Sequence, residues 1–258
     1  MSRTARGTAW RRGGSGPPLL LLHGGAGSWS HWIRNIESLS ARRTLWIPDL
    51  PGMGDSADAP EPRNHEAIAD VLAADLHEML PGAAAFDLVG FSFGGLVAGF
   101  LAGRLPAKPR TLVLVGAGGL GLRKRDERIL HPWKHLADPQ ARAEAHRFNL
   151  AALMLHDTAR IDDETLRLYT ADVVRTRVNS ARSSRTDALK GKIAALGIPV
   201  HGIWGRHDVT AHAKFDDIAA ILRHAHPAAQ LQVIEDAGHW VQYEQPQAFN
   251  QALAGLLP

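Results

Sequence analysis

The sequence predicts an α/β protein, a doubly wound and mostly parallel sheet with a helical lid insertion. Three observations carry this expectation. Short apolar runs alternate with longer helical patterns along most of the 258 residues. The run Phe86-Asp87-Leu88-Val89 leads into Gly90-Phe91-Ser92-Phe93-Gly94-Gly95 and then into a helical stretch over 96–102, which reads as strand, tight turn and helix. Residues 120–190 break the alternation with Arg-, Ala-, His- and Leu-rich sequence that holds no convincing buried strand.

Each element follows from its local pattern. Residues 7–12 suggest an antiparallel edge strand. Leu19-Leu20-Leu21-Leu22 ends in His23-Gly24-Gly25, and Thr44-Leu45-Trp46-Ile47-Pro48 ends in Asp49. Residues 68–80 read as a helix before the strand that ends at Gly90. Thr111-Leu112-Val113-Leu114-Val115 ends in Gly116. Within the insertion, 141–155 and 163–177 read as helices. Strands over 199–204 and 230–234 then lead to Asp208 and to Asp236-Ala237-Gly238-His239. The expected organisation is one core domain, 1–119 plus 191–258, interrupted by a lid over 120–190. Inserted between two parallel strands, that lid would lie over the C-terminal edge of the sheet.

Composition bounds the function. Lys plus Arg number 29 against 26 Asp plus Glu, a net charge of +3. No compact basic cluster interleaved with aromatics stands out, so nucleic-acid binding is not expected. Arg3, Arg6, Arg11 and Arg12 are assigned to a frayed N-terminus, and Arg123 and Arg125 to solvated surface. The absence of cysteine excludes disulfides and cysteine metal sites and fits a reducing compartment. Leu19 to Leu22 is too short to span a bilayer, and the N-terminus lacks the apolar stretch of a signal peptide. The expectation is a cytoplasmic protein with a small-molecule substrate and no membrane partner. Its oligomeric state stays open, a homodimer among the options.

The chemistry is expected at three strand ends. Ser92 sits in G-x-S-x-G, where only small neighbours fit the turn and the helix N-terminus favours developing negative charge. A serine hydroxyl needs a base beside it, and His239 fits that role. Asp208 would orient the imidazole. A helix N-cap is the rival role for Asp208, and His207 is a competing neighbour. The Phe93 N–H, next to the nucleophile, and the Gly25 N–H, after the first buried strand, would form the oxyanion hole. Phe91 and Trp240 flank the reacting residues and are candidate pocket walls. His131 and His135 lie i, i+4 but lack the Glu of a metalloprotease helix, so a surface helix is expected and no metal. No phosphate- or nicotinamide-binding motif is evident, so no cofactor is expected.

The chain resembles the α/β-hydrolase superfamily along nearly its whole length. The resemblance rests on His23-Gly24-Gly25-Ala26-Gly27-Ser28, Asp49-Leu50-Pro51-Gly52-Met53-Gly54-Asp55-Ser56, Gly90 to Gly95, Trp204-Gly205-Arg206-His207-Asp208 and Gly238-His239-Trp240. The order Ser92, Asp208, His239 is the one this superfamily uses. Ser92 itself departs from the haloalkane dehalogenases and epoxide hydrolases, which resemble the pattern with Asp there. Within the superfamily, Arg34-Asn35-Ile36, Gly238-His239-Trp240 and residues 244–250 look most like the meta-cleavage-product hydrolases, which split carbon–carbon bonds. Phe91 and Phe93 depart from the Asn and Met usual in that group. The resemblance also implies a lid arginine for the substrate's acidic group, with Arg175, Arg177 and Arg182 as counterparts and Arg177 as the chosen one. Three readings stay open: a serine hydrolase of small esters or lactones, a C–C bond hydrolase, and a non-catalytic receptor of the same fold.

Overall fold

A computed structural model describes residues 1–62, 64–79, 85–122 and 130–258. Leu80, expected at a helix end, and Arg123 and Arg125 lie outside them. The described residues form one eight-stranded sheet: β1 (Ser2–Arg3), β2 (Ala9–Gly13), β3 (Pro18–Leu22), β4 (Thr44–Pro48), β5 (Asp87–Phe91), β6 (Thr111–Val115), β7 (Val200–Gly205) and β8 (Leu231–Ile234). The spatial order is β1-β2-β4-β3-β5-β6-β7-β8. Strands β1 and β2 run antiparallel, and every pairing from β4 to β8 is parallel.

The central strands are continuous apolar runs because helices cover both faces of the sheet. Strict alternation then sorts their side chains. Leu20, Leu22, Leu88, Leu112 and Leu114 join one core layer, with Leu72, Val97, Ile193 and Ile218. Leu19, Leu21, Val89, Val113 and Ile203 join the other, with Leu39, Phe249 and Leu253. The helices are α1 (Ile36–Ser40), α2 (His65–Met79), α3 (Phe93–Ala102), α4 (Pro139–Asn149), α5 (Asp163–Val174), α6 (Ala181–Ser184), α7 (Ala188–Ala194), α8 (Phe215–Ala225), α9 (Val241–Glu244) and α10 (Pro246–Leu256). None among the described residues is long and apolar enough to cross a membrane.

The structure differs from the sequence reading at several places. Strand β2 is not at the edge, because β1 pairs outside it. The N-terminus is not frayed: Arg6 pairs with Glu78 at 2.7 Å, and Arg11 pairs with Asp49 and Asp55 at 3.0 and 2.5 Å. The guanidinium of Arg12 lies 4.7 Å from the Trp46 ring centroid.

His131 and His135 lie in irregular chain rather than on a helix. Pro132 disfavours helical geometry at His131, and Asn149 takes up the His131 backbone N–H and C=O. The helix expected to reach 155 changes at Leu150 to a π-helix over Leu150–Met154. Helix α5 stops at Val174, and the chain then turns to bond Arg177 N–H to Gly52 O at 2.9 Å. The expected boundary at 190/191 falls inside α7, whose Leu189 and Ile193 are buried against α3.

Candidate active site

Ser92 stands between β5 and α3. Its backbone sits at φ +53°, ψ −114°, a strained conformation for a residue with a side chain. Two backbone approaches enforce the turn. A Cβ at Gly90 would fall 2.5 Å from Gly94 O, and one at Gly94 would fall 2.3 Å from His23 O. Only glycine fits either place, and the Ser92 N–H is held by Val115 O at 2.8 Å.

The loops after β7 and β8 bring the other two residues to the serine. His239 Nε2 lies 2.9 Å from Ser92 Oγ, and His239 Nδ1 lies 2.9 Å from Asp208 Oδ2. Asp208 and His239 are buried, while Ser92 keeps partial exposure. Burial pushes the Asp208 carboxyl up, but His239 and Thr210 outweigh it and hold the carboxyl below its usual range. An ionised carboxylate only accepts hydrogen bonds. It therefore accepts from His239 Nδ1–H, which keeps the proton on Nδ1 and leaves Nε2 free to accept from Ser92. The rival N-cap geometry is present as well: Asp208 Oδ1 accepts from Thr210 N–H at 2.8 Å, so one carboxylate serves both partners. His207 faces away and stacks on His156 at 3.6 Å.

The two expected oxyanion donors are adjacent. A Cβ on Gly25 would lie 3.6 Å from Phe93 Cβ and 2.1 Å from Ser180 Oγ. Phe93 is the first residue of α3, where the backbone N–H has no intrahelical partner. Neither the Phe93 nor the Gly25 N–H donates to any described residue. Both remain free for a ligand.

The three expected substrate contacts are placed differently. Phe91 and Trp240 are wholly buried. Phe91 packs 5.0 Å from the His239 ring. Trp240 stacks on Tyr243 at 4.0 Å and donates its indole N–H to His31 O. Strand and loop geometry place both in the second core layer, packed against the His239 and His31 rings. Arg177 is paired with Asp58 and Ser56 O, so its charge is spent on the loop after β4. Arg175 pairs with Asp55 and Asp172.

Several buried polar residues around the site carried no pattern of their own in the sequence. Glu244 is fully buried and accepts three backbone N–H groups: Gly238 at 2.7 Å, Asp157 at 2.6 Å and His156 at 3.1 Å. It ties the loop bearing His239 to the inserted segment. Asp172 accepts from Ser28 Oγ and Ser30 Oγ at 2.7 and 2.5 Å. Burial pushes its carboxyl up, against those two hydroxyls. His23 accepts from Leu50 N–H, and His31 accepts from Gly24 N–H. Burial holds His23 below the usual histidine range and His31 well below it, so both are neutral at neutral pH. The only hint in the sequence was that Glu244, Ser28 and His23 lie within the quoted motifs. Among the described residues, no cluster of three or more His, Asp or Glu could hold a metal ion.

Comparison with known proteins gives a consistent frame. A 2-hydroxy-6-oxo-6-phenylhexa-2,4-dienoate hydrolase from Burkholderia cepacia is 28% identical over 260 residues, covering 95% of this chain and 88% of that protein. An esterase of Mycobacterium tuberculosis is 28% identical over 97% of this chain and 86% of its own length. The dihydrolipoyllysine-residue acetyltransferase component of the acetoin cleaving system of Pseudomonas putida is 30% identical over 95% of this chain. The match spans only 64% of that protein's length. Among solved structures, a meta-cleavage product hydrolase from Pseudomonas fluorescens superposes with a TM-score of 0.76 at 26% identity, covering 96% of this chain and 93% of that one. The profile of the Alpha/beta hydrolase family matches residues 19–252. With its sheet order, its strand-end residues and this match in agreement, the chain belongs to the alpha/beta hydrolase family.

Proposed function

We propose that the protein is a serine hydrolase of small esters, lactones or related carbonyl compounds. The observation that carries this reading is the hydrogen-bonded chain from Ser92 Oγ through His239 to Asp208, at 2.9 Å in both links. Ser92 Oγ attacks the carbonyl carbon while His239 Nε2 takes its proton. The carbonyl oxygen becomes an oxyanion and accepts from the Phe93 and Gly25 N–H groups. His239, now an imidazolium stabilised by Asp208, returns the proton to the leaving alkoxide. Water then repeats the sequence on the acyl-Ser92 intermediate. The inserted segment acts as the lid of this site, and the partner is a small molecule.

A second reading, C–C bond hydrolysis of meta-cleavage products, is favoured by likeness to two such hydrolases, one in sequence and one in structure. Against it stand Arg175 and Arg177, whose guanidinium groups already pair with carboxylates of this chain.

The test compares p-nitrophenyl esters of increasing acyl length with a meta-cleavage dienol, using wild type and Ser92→Ala. Ester turnover abolished in Ser92→Ala supports the proposal. Fast dienol loss with poor ester turnover replaces it with the second reading. Ester turnover that survives the substitution refutes the nucleophile. Tight ligand binding without turnover of either substrate points to a receptor.

A further inference from the structure

The loop that presents the Gly25 N–H has an unusual supply of support. Gly24 is fixed at one end: its N–H donates to His31 Nδ1 at 3.1 Å, and its carbonyl lies 2.8 Å from His23 Nδ1. Gly25 and Ala26 then form a turn with no strong hydrogen bond to the rest of the described residues. Within this span Ala26 sits at φ +53°, a strained conformation for alanine. Such strain persists only where the surroundings over-determine it. The span packs against Ser180, Phe93 and His31 but has no strong bond of its own, so its two ends hold it in place.

The far end begins at Ser28. Its hydroxyl accepts from Ser30 N–H at 3.2 Å and donates to Asp172 Oδ1 at 2.7 Å. Ser30 Oγ donates to Asp172 Oδ2 at 2.5 Å. Trp29 N–H donates to Asp49 Oδ1 at 2.8 Å. Ser28, Ser30 and Asp172 are all buried, so water does not compete for these bonds. Asp49 belongs to the core, but Asp172 lies on α5, in the inserted segment. Arg175 steadies the carboxylate from its own helix at 3.3 Å and reaches Asp55 at 2.9 Å.

We propose that Asp172 is a positioning residue for the oxyanion hole. By gripping Ser28 and Ser30 from α5, it holds the Gly25 N–H in register with the Phe93 N–H. The seating of the inserted segment is thereby coupled to oxyanion stabilisation. This rests on the serine-hydrolase reading above for its catalytic consequence, but not for the structural link itself. Releasing Asp172 lets Ala26 relax and turns the Gly25 N–H away, while Phe93, fixed by α3, stays in place. The loss falls on the transition state more than on substrate binding.

The test uses Asp172→Asn, which keeps shape but removes one acceptor, and Ser30→Ala, which removes one bond from the other side. Three quantities are read in the full chain: kcat and KM on a p-nitrophenyl ester, inhibition by an alkyl boronic acid that forms a tetrahedral adduct on Ser92, and amide exchange over residues 24–30. The expected result is kcat lower by about ten- to a hundredfold with KM changed less than about threefold. Boronate affinity should fall in parallel, which a smaller folded fraction alone would not produce. Amide exchange over 24–30 should quicken. Boronate affinity and exchange at wild-type levels in a folded variant would overturn the proposal. If Asp172→Asn does not fold, Ser30→Ala decides by the same readouts. If wild type hydrolyses no ester, the parent reading fails separately, and exchange over 24–30 alone decides whether Asp172 holds the loop.

Discussion

At the scale of single residues, the site combines strain with bonding that offsets it. Holding Ser92 at φ +53° costs roughly 1–3 kcal/mol, supplied by the tight packing of Gly90 and Gly94 against neighbouring backbone. Gly94→Ala drives a Cβ to 2.3 Å from His23 O, and backbone there has no room to yield. It should destabilise the fold by at least about 2 kcal/mol, measured by urea unfolding; wild-type stability would show that the turn can relax. Asp208→Asn keeps the shape but can stabilise the wrong tautomer of His239. Its kcat should fall on the order of 10³–10⁴-fold with KM little changed. A loss under tenfold would mean that Asp208 only caps the Thr210 turn, the rival role its second oxygen also serves.

At the scale of elements, the inserted segment is fastened to the core along two seams. On one, Asp172, Arg175 and Arg177 grip the loops after β3 and β4. On the other, Glu244 binds the His156 and Asp157 N–H groups, Trp240 N–H bonds Met154 O at 2.8 Å, and Thr165 meets the Tyr243 hydroxyl at 2.8 Å. Each seam also supports one loop of the site, the one with Gly25 or the one with His239. Replacing Glu244 by Gln turns one acceptor oxygen into an amide that faces backbone donors. We expect a loss of about 2–3 kcal/mol in unfolding free energy, together with a lower kcat because Gly238 precedes His239. Unfolding and turnover measured on the same preparation check this, and unchanged values for both would remove Glu244 from the account. The motif Arg34-Asn35-Ile36 acts at this scale too. Arg34 lies 3.8 Å over the Tyr243 ring, and Asn35 donates to Gln242 O and Asn250 Oδ1 at 3.0 Å. It secures the C-terminal elements that carry the histidine.

At the scale of the whole molecule, the buried histidines set the acid limit of stability. His23 and His31 hold protons less readily folded than unfolded, because burial penalises the charged ring. As a cation His31 also could not accept from Gly24 N–H. Below about pH 6.5 the unfolded chain therefore binds protons that the folded one refuses, and stability falls as pH falls. The expected slope is about 1–2 kcal/mol per pH unit just below that value. Asp208, held low, keeps its contribution until pH drops below the ordinary carboxylate range. Asp172, held above the usual carboxylate range by burial, carries the opposite sign as pH falls toward that range. Thermal melts at pH 7.5, 6.5 and 5.5 test this, and flat melting points across the last two would refute it.

The sequence by itself determined the alternation of strands and helices, the turn at Ser92 and the chain order of Ser92, Asp208 and His239. These are local facts: a short continuous apolar run bounded by glycine or turn residues reads as a buried strand, and the tight turn around the serine needs the glycines at 90 and 94. Only the tertiary structure decided where Phe91, Trp240 and Arg177 point. It also decided that β2 lies inside the sheet edge, that the helix over 141–155 becomes a π-helix at Leu150, and that Asp172 and Glu244 join the insertion to the site. Those outcomes depend on partners more than a hundred residues away for Asp172 and over eighty away between Glu244 and the insertion. A lone Asp or Glu on an amphipathic helix carries no local mark of the buried donors that will meet it. Folding brings those donors together, and low dielectric then makes the bonds strong.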